Sequence, residues 1–159
     1  GDEWNSEFVA YNFKEEATTA VRPKLQKITY SFWEGYDSYD VSWTYDPITN
    51  QYIRSNGGVP HLDKNTNKPI QAKNIVLLYM KESRANDGYE GNLHMLYGTR
   101  GSGKAVFMMD GKQTDGTWSK KSRTTRTILK DKSGKELLLN PGIIWFSILG
   151  TDNTSLSVL

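Results

Sequence analysis

The sequence predicts a mainly β protein: a single antiparallel domain, barrel- or sandwich-like, built from a meander and hairpins with little or no helix. Three observations predict it. From Ile28 to Tyr45 apolar residues alternate with polar ones, the period of a half-buried strand. In Lys104–Trp118, KAVFMMDGKQTDGTW, the pair Asp110-Gly111 sits between two strand-like runs. Asp-Gly suits a type I′ hairpin turn, which needs positive φ at both central residues. Finally, no long stretch carries helical period, while turn signals recur roughly every 8–12 residues, the spacing of an antiparallel sandwich or barrel.

The elements follow in order. Phe8, Tyr11 and Phe13 suit a short strand or an extended lead-in, and Glu15–Ala20 at most a helical turn, because Arg22-Pro23 stops anything longer. Ile28, Tyr30 and Phe32 begin the meander. After a turn at Glu34–Ser38, Tyr39, Val41, Trp43 and Tyr45 mark its second strand. Asp46–Asn50 is a turn set by Pro47, and Gln51–Arg54 is the returning strand. Asn56-Gly57-Gly58 breaks the pattern, and residues 59–73 read as a polar loop. Asn74–Met80 is apolar enough to be buried on both faces. Lys81–Gly91 reads as a charged loop, Leu93–Tyr97 as a short strand, and Gly98–Gly103 as a glycine corner. In the hairpin, Ala105, Phe107 and Met109 face one way and Val106 and Met108 the other, so this strand is central. Short strands at Thr127–Leu129 and Leu137–Leu139, a strong one at Ile143–Leu149 and an edge at Leu156–Leu159 complete the order.

Composition fits a folded domain. Nine Tyr and five Trp favour pleated, half-buried surfaces, and the absence of Cys excludes disulfides, thiol catalysis and Cys-based zinc sites. No apolar run approaches the ~20 residues of a membrane-spanning helix. The net charge of +2 argues for no global attraction to nucleic acid, but the charge is uneven. Residues 1–50 carry 4 basic and 9 acidic groups, and residues 91–159 carry 10 and 5.

Several patterns imitate chemistry. Gly98–Lys104 fits the start of a phosphate-binding loop, yet Ala105 stands where a hydroxyl is needed and a strand follows where a helix is needed. Asp63, Asn65 and Asn67 imitate half a calcium loop, but Lys68 and Asn74 occupy the positions of its essential Gly and Glu. His61 and His94 are the only histidines, too few for a zinc site without carboxylates. No metal and no cofactor is expected.

Two groups remain as candidate sites. Tyr52, Arg54, His61 and Asp63 lie close in sequence and form the candidate polar site, read as a hydrogen-bond brace or a binding site. A hydrolase would use His61 with Asp63, but two residues apart on an extended chain they point the same way, and no G-x-S-x-G elbow is present. The run Lys120–Lys135 holds seven basic residues against Asp131 alone. Lys120, Lys121, Arg123 and Arg126 form a candidate basic surface for anionic lipid or a cell-wall polyanion. The run lacks the interleaved aromatics that stack bases, so no nucleic acid is expected.

Order and identity of several short motifs carry a family resemblance. These are Tyr45-Asp46-Pro47, Tyr52-Ile53-Arg54, Gly58–Asp63, Ala72–Val76, Gly101–Phe107, Asp110-Gly111-Lys112, Gly116-Thr117-Trp118, Gly134-Lys135-Glu136, Leu139–Gly142 and Trp145. Across about residues 28–149 the chain resembles the YerB-like family of bacterial lipoproteins, a domain of unknown function (DUF3048). The resemblance implies a two-domain protein of Gram-positive bacteria, with a lipoprotein signal and an N-terminal domain upstream. It makes residues 1–27 a linker or stub and 28–159 the C-terminal β domain. It implies an extracytoplasmic module of the cell envelope, reaching the membrane only through the upstream lipid anchor. No activity comes with it. The reading is therefore a non-catalytic binding or interaction module whose partner is an envelope polyanion or a protein. An envelope hydrolase using His61 and Asp63, and polyanion or anionic-lipid binding through Lys120–Lys135, stand as the alternatives.

Overall fold

Alternating runs pair into two sheets that pack face to face. The computed structural model describes residues 9–88 and 94–159. Its strands are β1 (Lys27–Tyr30), β2 (Val41–Asp46), β3 (Gln51–Asn56), β4 (Val59–Pro60), β5 (Gln71–Ala72), β6 (Asn74–Met80), β7 (Glu82–Arg84), β8 (Met95–Tyr97), β9 (Gly101–Met109), β10 (Lys112–Lys120), β11 (Ile128–Asp131), β12 (Ile144–Gly150) and β13 (Ser157–Val158). One sheet runs β13-β1-β2-β3-β4, with β5 also on β3, and the other runs β11-β10-β9-β6-β12. A separate two-stranded ribbon joins β7 to β8. The architecture is a sandwich, mainly antiparallel, and among the described residues its helical content is two single 3-10 turns, Thr19–Val21 and Asp37–Tyr39.

The inner faces make the first core. Ile28, Trp43, Tyr45 and Tyr52 from one sheet meet Ile75, Leu77, Tyr79, Val106, Met108 and Leu149 from the other. A second core lies on the outer face of the five-stranded sheet, where Val76, Leu78, Ala105, Phe107 and Met109 pack with Trp118, Leu129, Leu137 and Leu139. Non-helical chain covers that face: Phe13 bridges to Leu139, and the Lys14 amide donates to the Leu139 carbonyl at 2.9 Å. This two-sided cover explains why β6 is buried at all seven positions and why β9 is central. Within residues 1–27, expected as a linker or stub, Tyr11 packs against Phe146 and Gln26 is buried, while Val21 and Leu25 are exposed.

The hairpin forms as its sequence dictates. Met109 pairs with Lys112, and Asp110 and Gly111 have φ of +54° and +69°. Further along, Gly103 faces Trp118, and a Cβ there would lie 2.7 Å from the indole Nε1. The missing side chain makes room for Trp118, whose indole donates to the Tyr79 carbonyl at 2.9 Å.

Several expectations change. The Gly98–Gly103 corner is shorter, because β9 begins at Gly101. The loop expected at Lys81–Gly91 contains β7, whose charged residues pair with β8. The polar loop 59–73 contains β4 and β5, and Gly57-Gly58, both at positive φ, form a tight hairpin turn rather than a break. Tyr39 lies in a 3-10 turn and is exposed, because β2 begins only at Val41. One pair, β6 with β12, is parallel, which an apolar run cannot reveal. Phe8 and Leu93, assigned to strands from sequence, lie outside the described residues.

Candidate functional site

β3 carries Tyr52 and Arg54 on its inner face, and the Gly57-Gly58 turn folds the chain back so that His61 returns beside Arg54. The His61 amide donates to the Arg54 carbonyl at 3.0 Å. Arg54 is only 5% exposed. Its guanidinium lies 4.8 Å from the Trp145 ring centre and 5.7 Å from that of Trp43. One of its amino groups, Nη1, donates to His61 Nδ1, whereas Nε is buried without a hydrogen-bond partner. No carboxylate pairs with Arg54 among the described residues. The two indoles supply cation–π attraction instead of a counter-ion.

That contact fixes the chemistry of His61. A guanidinium only donates, so Nδ1 must present its lone pair. Partial burial and the neighbouring Arg54 charge both push the imidazole below its ordinary pKa. A neutral ring that accepts at Nδ1 carries its proton on Nε2. His61 therefore offers an N–H, beside the partly exposed Trp145, whose ring centre lies 6.4 Å away.

The other two residues of the candidate site are elsewhere. Asp63 accepts from the Thr66 amide at 2.8 Å, the Thr66 hydroxyl at 2.9 Å and the Asn65 amide at 3.1 Å. These bonds hold its carboxyl below the usual carboxylate pKa and tie it to its own turn, not to His61. Tyr52 is fully buried; its hydroxyl donates to Gln26 at 3.0 Å and accepts from the Gly111 amide at 3.0 Å. It serves the hairpin turn. His94, on the β7–β8 ribbon, bonds Asp87, and no group of three metal-ligating side chains occurs among the described residues.

The basic run also divides. Arg126 turns inward, pairs with Glu136 and lies 5.2 Å from the Tyr11 ring centre, so it leaves the basic surface. Lys120 donates to the Thr125 carbonyl. Lys121 and Arg123 remain exposed.

Sequence reasoning missed a buried polar hub. Asp110 Oδ1 accepts from Asn50 at 2.8 Å and from Asn140 at 2.8 Å, and its Oδ2 pairs with Lys14 at 2.6 Å. Asn50 also accepts from the Tyr45 hydroxyl at 2.7 Å and donates to Glu16 at 2.9 Å. Asn74 and Asn140 bond each other in both directions. The partners come from five separate segments, so no local signal could have assembled them. Every donor of the hub is matched by an acceptor within it, which makes it a brace rather than a site.

Comparisons with known proteins agree with the resemblance. The family described as "Protein of unknown function (DUF3048) C-terminal domain" matches residues 28–146. Among solved structures, the YerB protein from Bacillus subtilis is similar, with a TM-score of 0.72 and 22% identity over 94% of this chain. At that identity the likeness is one of fold, and the chain covers 46% of the YerB chain. No curated protein matches.

Proposed function

The chain belongs to the DUF3048 family, as its C-terminal domain, and we propose that it is a non-catalytic binding module that takes a carboxylate through His61. One observation carries the reading: the buried Arg54 guanidinium donates to His61 Nδ1. It leaves the ring as a polarised donor, with a buried positive charge behind it and no carboxylate of the described chain in front. An anionic acceptor would supply the counter-charge that a buried cation otherwise lacks. The same contact disfavours a hydrolase that uses His61 as base. Nδ1 is occupied, Nε2 carries the proton, and Asp63 is held in its own turn.

A fluorescence titration of the indoles with N-acetylalanine, and with its neutral amide, tests this. A saturable change with the acid alone, lost in His61→Ala, supports the reading. An equal response to the amide, or one retained in His61→Ala, overturns it.

The module is proposed to work outside the cytoplasm, as part of a longer lipid-anchored protein of the cell envelope. The support is the family resemblance. Digestion of the full-length gene product by protease added to intact cells would agree, and protection until lysis would contradict it.

A further inference from the structure

A shallow cavity of about 480 Å³ lies where the chain turns from β8 into β9, lined by Tyr97, Gly98, Thr99, Arg100, Gly101 and Lys121. Gly101 pairs with Lys120, and this register carries Lys121, the next residue, to the rim opposite Arg100. Two cations, one just before β9 and one just after β10, thus line one concavity. Neither Arg100 nor Lys121 has a side-chain hydrogen bond or ion pair among the described residues. The carboxylate of Glu82 is spent on the Tyr97 hydroxyl, which donates to it at 2.5 Å. Lys132, by contrast, has a carboxylate partner, Asp115 at 3.1 Å. Here both cations line one cavity.

We propose that this cavity is a binding site for a phosphoryl group. The guanidinium fork of Arg100 matches two oxygens of a tetrahedral anion, the Lys121 ammonium supplies a second charge, and the Thr99 hydroxyl offers a further donor. The site shares no residue with the Arg54–His61 site, so each proposal stands or fails alone. It also gives the glycine turn a role that the phosphate-loop pattern did not foresee. The anion is held by side chains that flank β9 and β10, with no helix N-terminus.

The test titrates the intact chain with linear polyphosphate at low and at physiological salt. In parallel the chain is sedimented with phosphatidylglycerol and with phosphatidylcholine vesicles. Two double variants are compared: R100A with K121A in the pocket, and K64A with K112A, two exposed lysines elsewhere. The proposal expects binding that weakens with salt, falls at least tenfold in the pocket variant and is unchanged in the other. Loss of polyphosphate binding alone assigns the group to a soluble polymer. Loss of phosphatidylglycerol sedimentation assigns it to a lipid headgroup. No binding to either probe overturns the proposal. So does binding unchanged in the pocket variant, or reduced equally in both variants with melting temperatures intact.

Discussion

Asp110, the first turn residue of the β9–β10 hairpin, is ion-paired with Lys14, 96 positions earlier in the chain, at 2.6 Å. The contact ties the N-terminal segment to the tip of the central hairpin. Burial alone would raise the Asp110 pKa, but hydrogen bonds from Lys14, Asn50 and Asn140 outweigh it and hold the carboxyl below its ordinary value.

Removing that carboxylate should be costly. Asp110→Ala removes the acceptor that Lys14, Asn50 and Asn140 share and is expected to lose about 3 kcal/mol of stability, read from urea unfolding. The pH dependence follows from the depressed native pKa. The contribution is full above the unfolded carboxylate range of about 4 and is lost as pH falls through the lower native value. Acid unfolding should therefore be shallower in Asp110→Ala than in the wild type below about pH 4.

Gly111 is the second turn residue, at φ +69°, and a Cβ there would lie 2.5 Å from both Pro23 Cγ and Tyr45 Cε1. Gly111→Ala combines left-handed backbone strain with overpacking and should cost about 3 kcal/mol by chemical denaturation. A loss under about 0.5 kcal/mol would show that the turn yields easily.

Tyr52 bridges Gln26 and the Gly111 amide with one hydroxyl. Tyr52→Phe keeps the ring and strands both partners, so it should lose about 1–2 kcal/mol. Hydrogen exchange should show faster exchange at the Gly111 amide. Unchanged exchange there would contradict the assigned bond.

Arg126 separates the two meanings of the basic run. It is packed on Tyr11 and paired with Glu136. Arg126→Ala should lower stability by about 1 kcal/mol while leaving polyphosphate binding unchanged. A reduction of binding equal to that of the R100A/K121A variant would place it back on the surface.

Much of the fold is legible because its signals are local. Asp110-Gly111 between apolar runs fixes the hairpin, and the two-faced apolar pattern of Val106–Met109 marks its strand as central. β7 is missed because Glu82, Ser83 and Arg84 carry no apolar alternation; their partner β8 holds them. The parallel β6–β12 pair is silent because a run buried on both faces reads alike in either orientation. Of the candidate site, Arg54 and His61 meet because a two-residue turn joins β3 to β4, which ends one residue before His61, a local fact. Trp145 comes from the other sheet, and its place over the guanidinium has no local trace. The Asp110 hub is invisible for the same reason. Its acceptors and donors span Lys14 to Asn140, and each reads alone as an ordinary turn or surface residue.

The state of the His61 ring tests the functional account most directly. Nitrogen-15 NMR of the imidazole at neutral pH reports charge and tautomer together. The account predicts a neutral ring with its proton on Nε2 and an unprotonated Nδ1 facing Arg54, titrating below the ordinary value of about 6.5. A proton on Nδ1, or a charged imidazolium at pH 7, would contradict it and return His61 to the role of a titrating base.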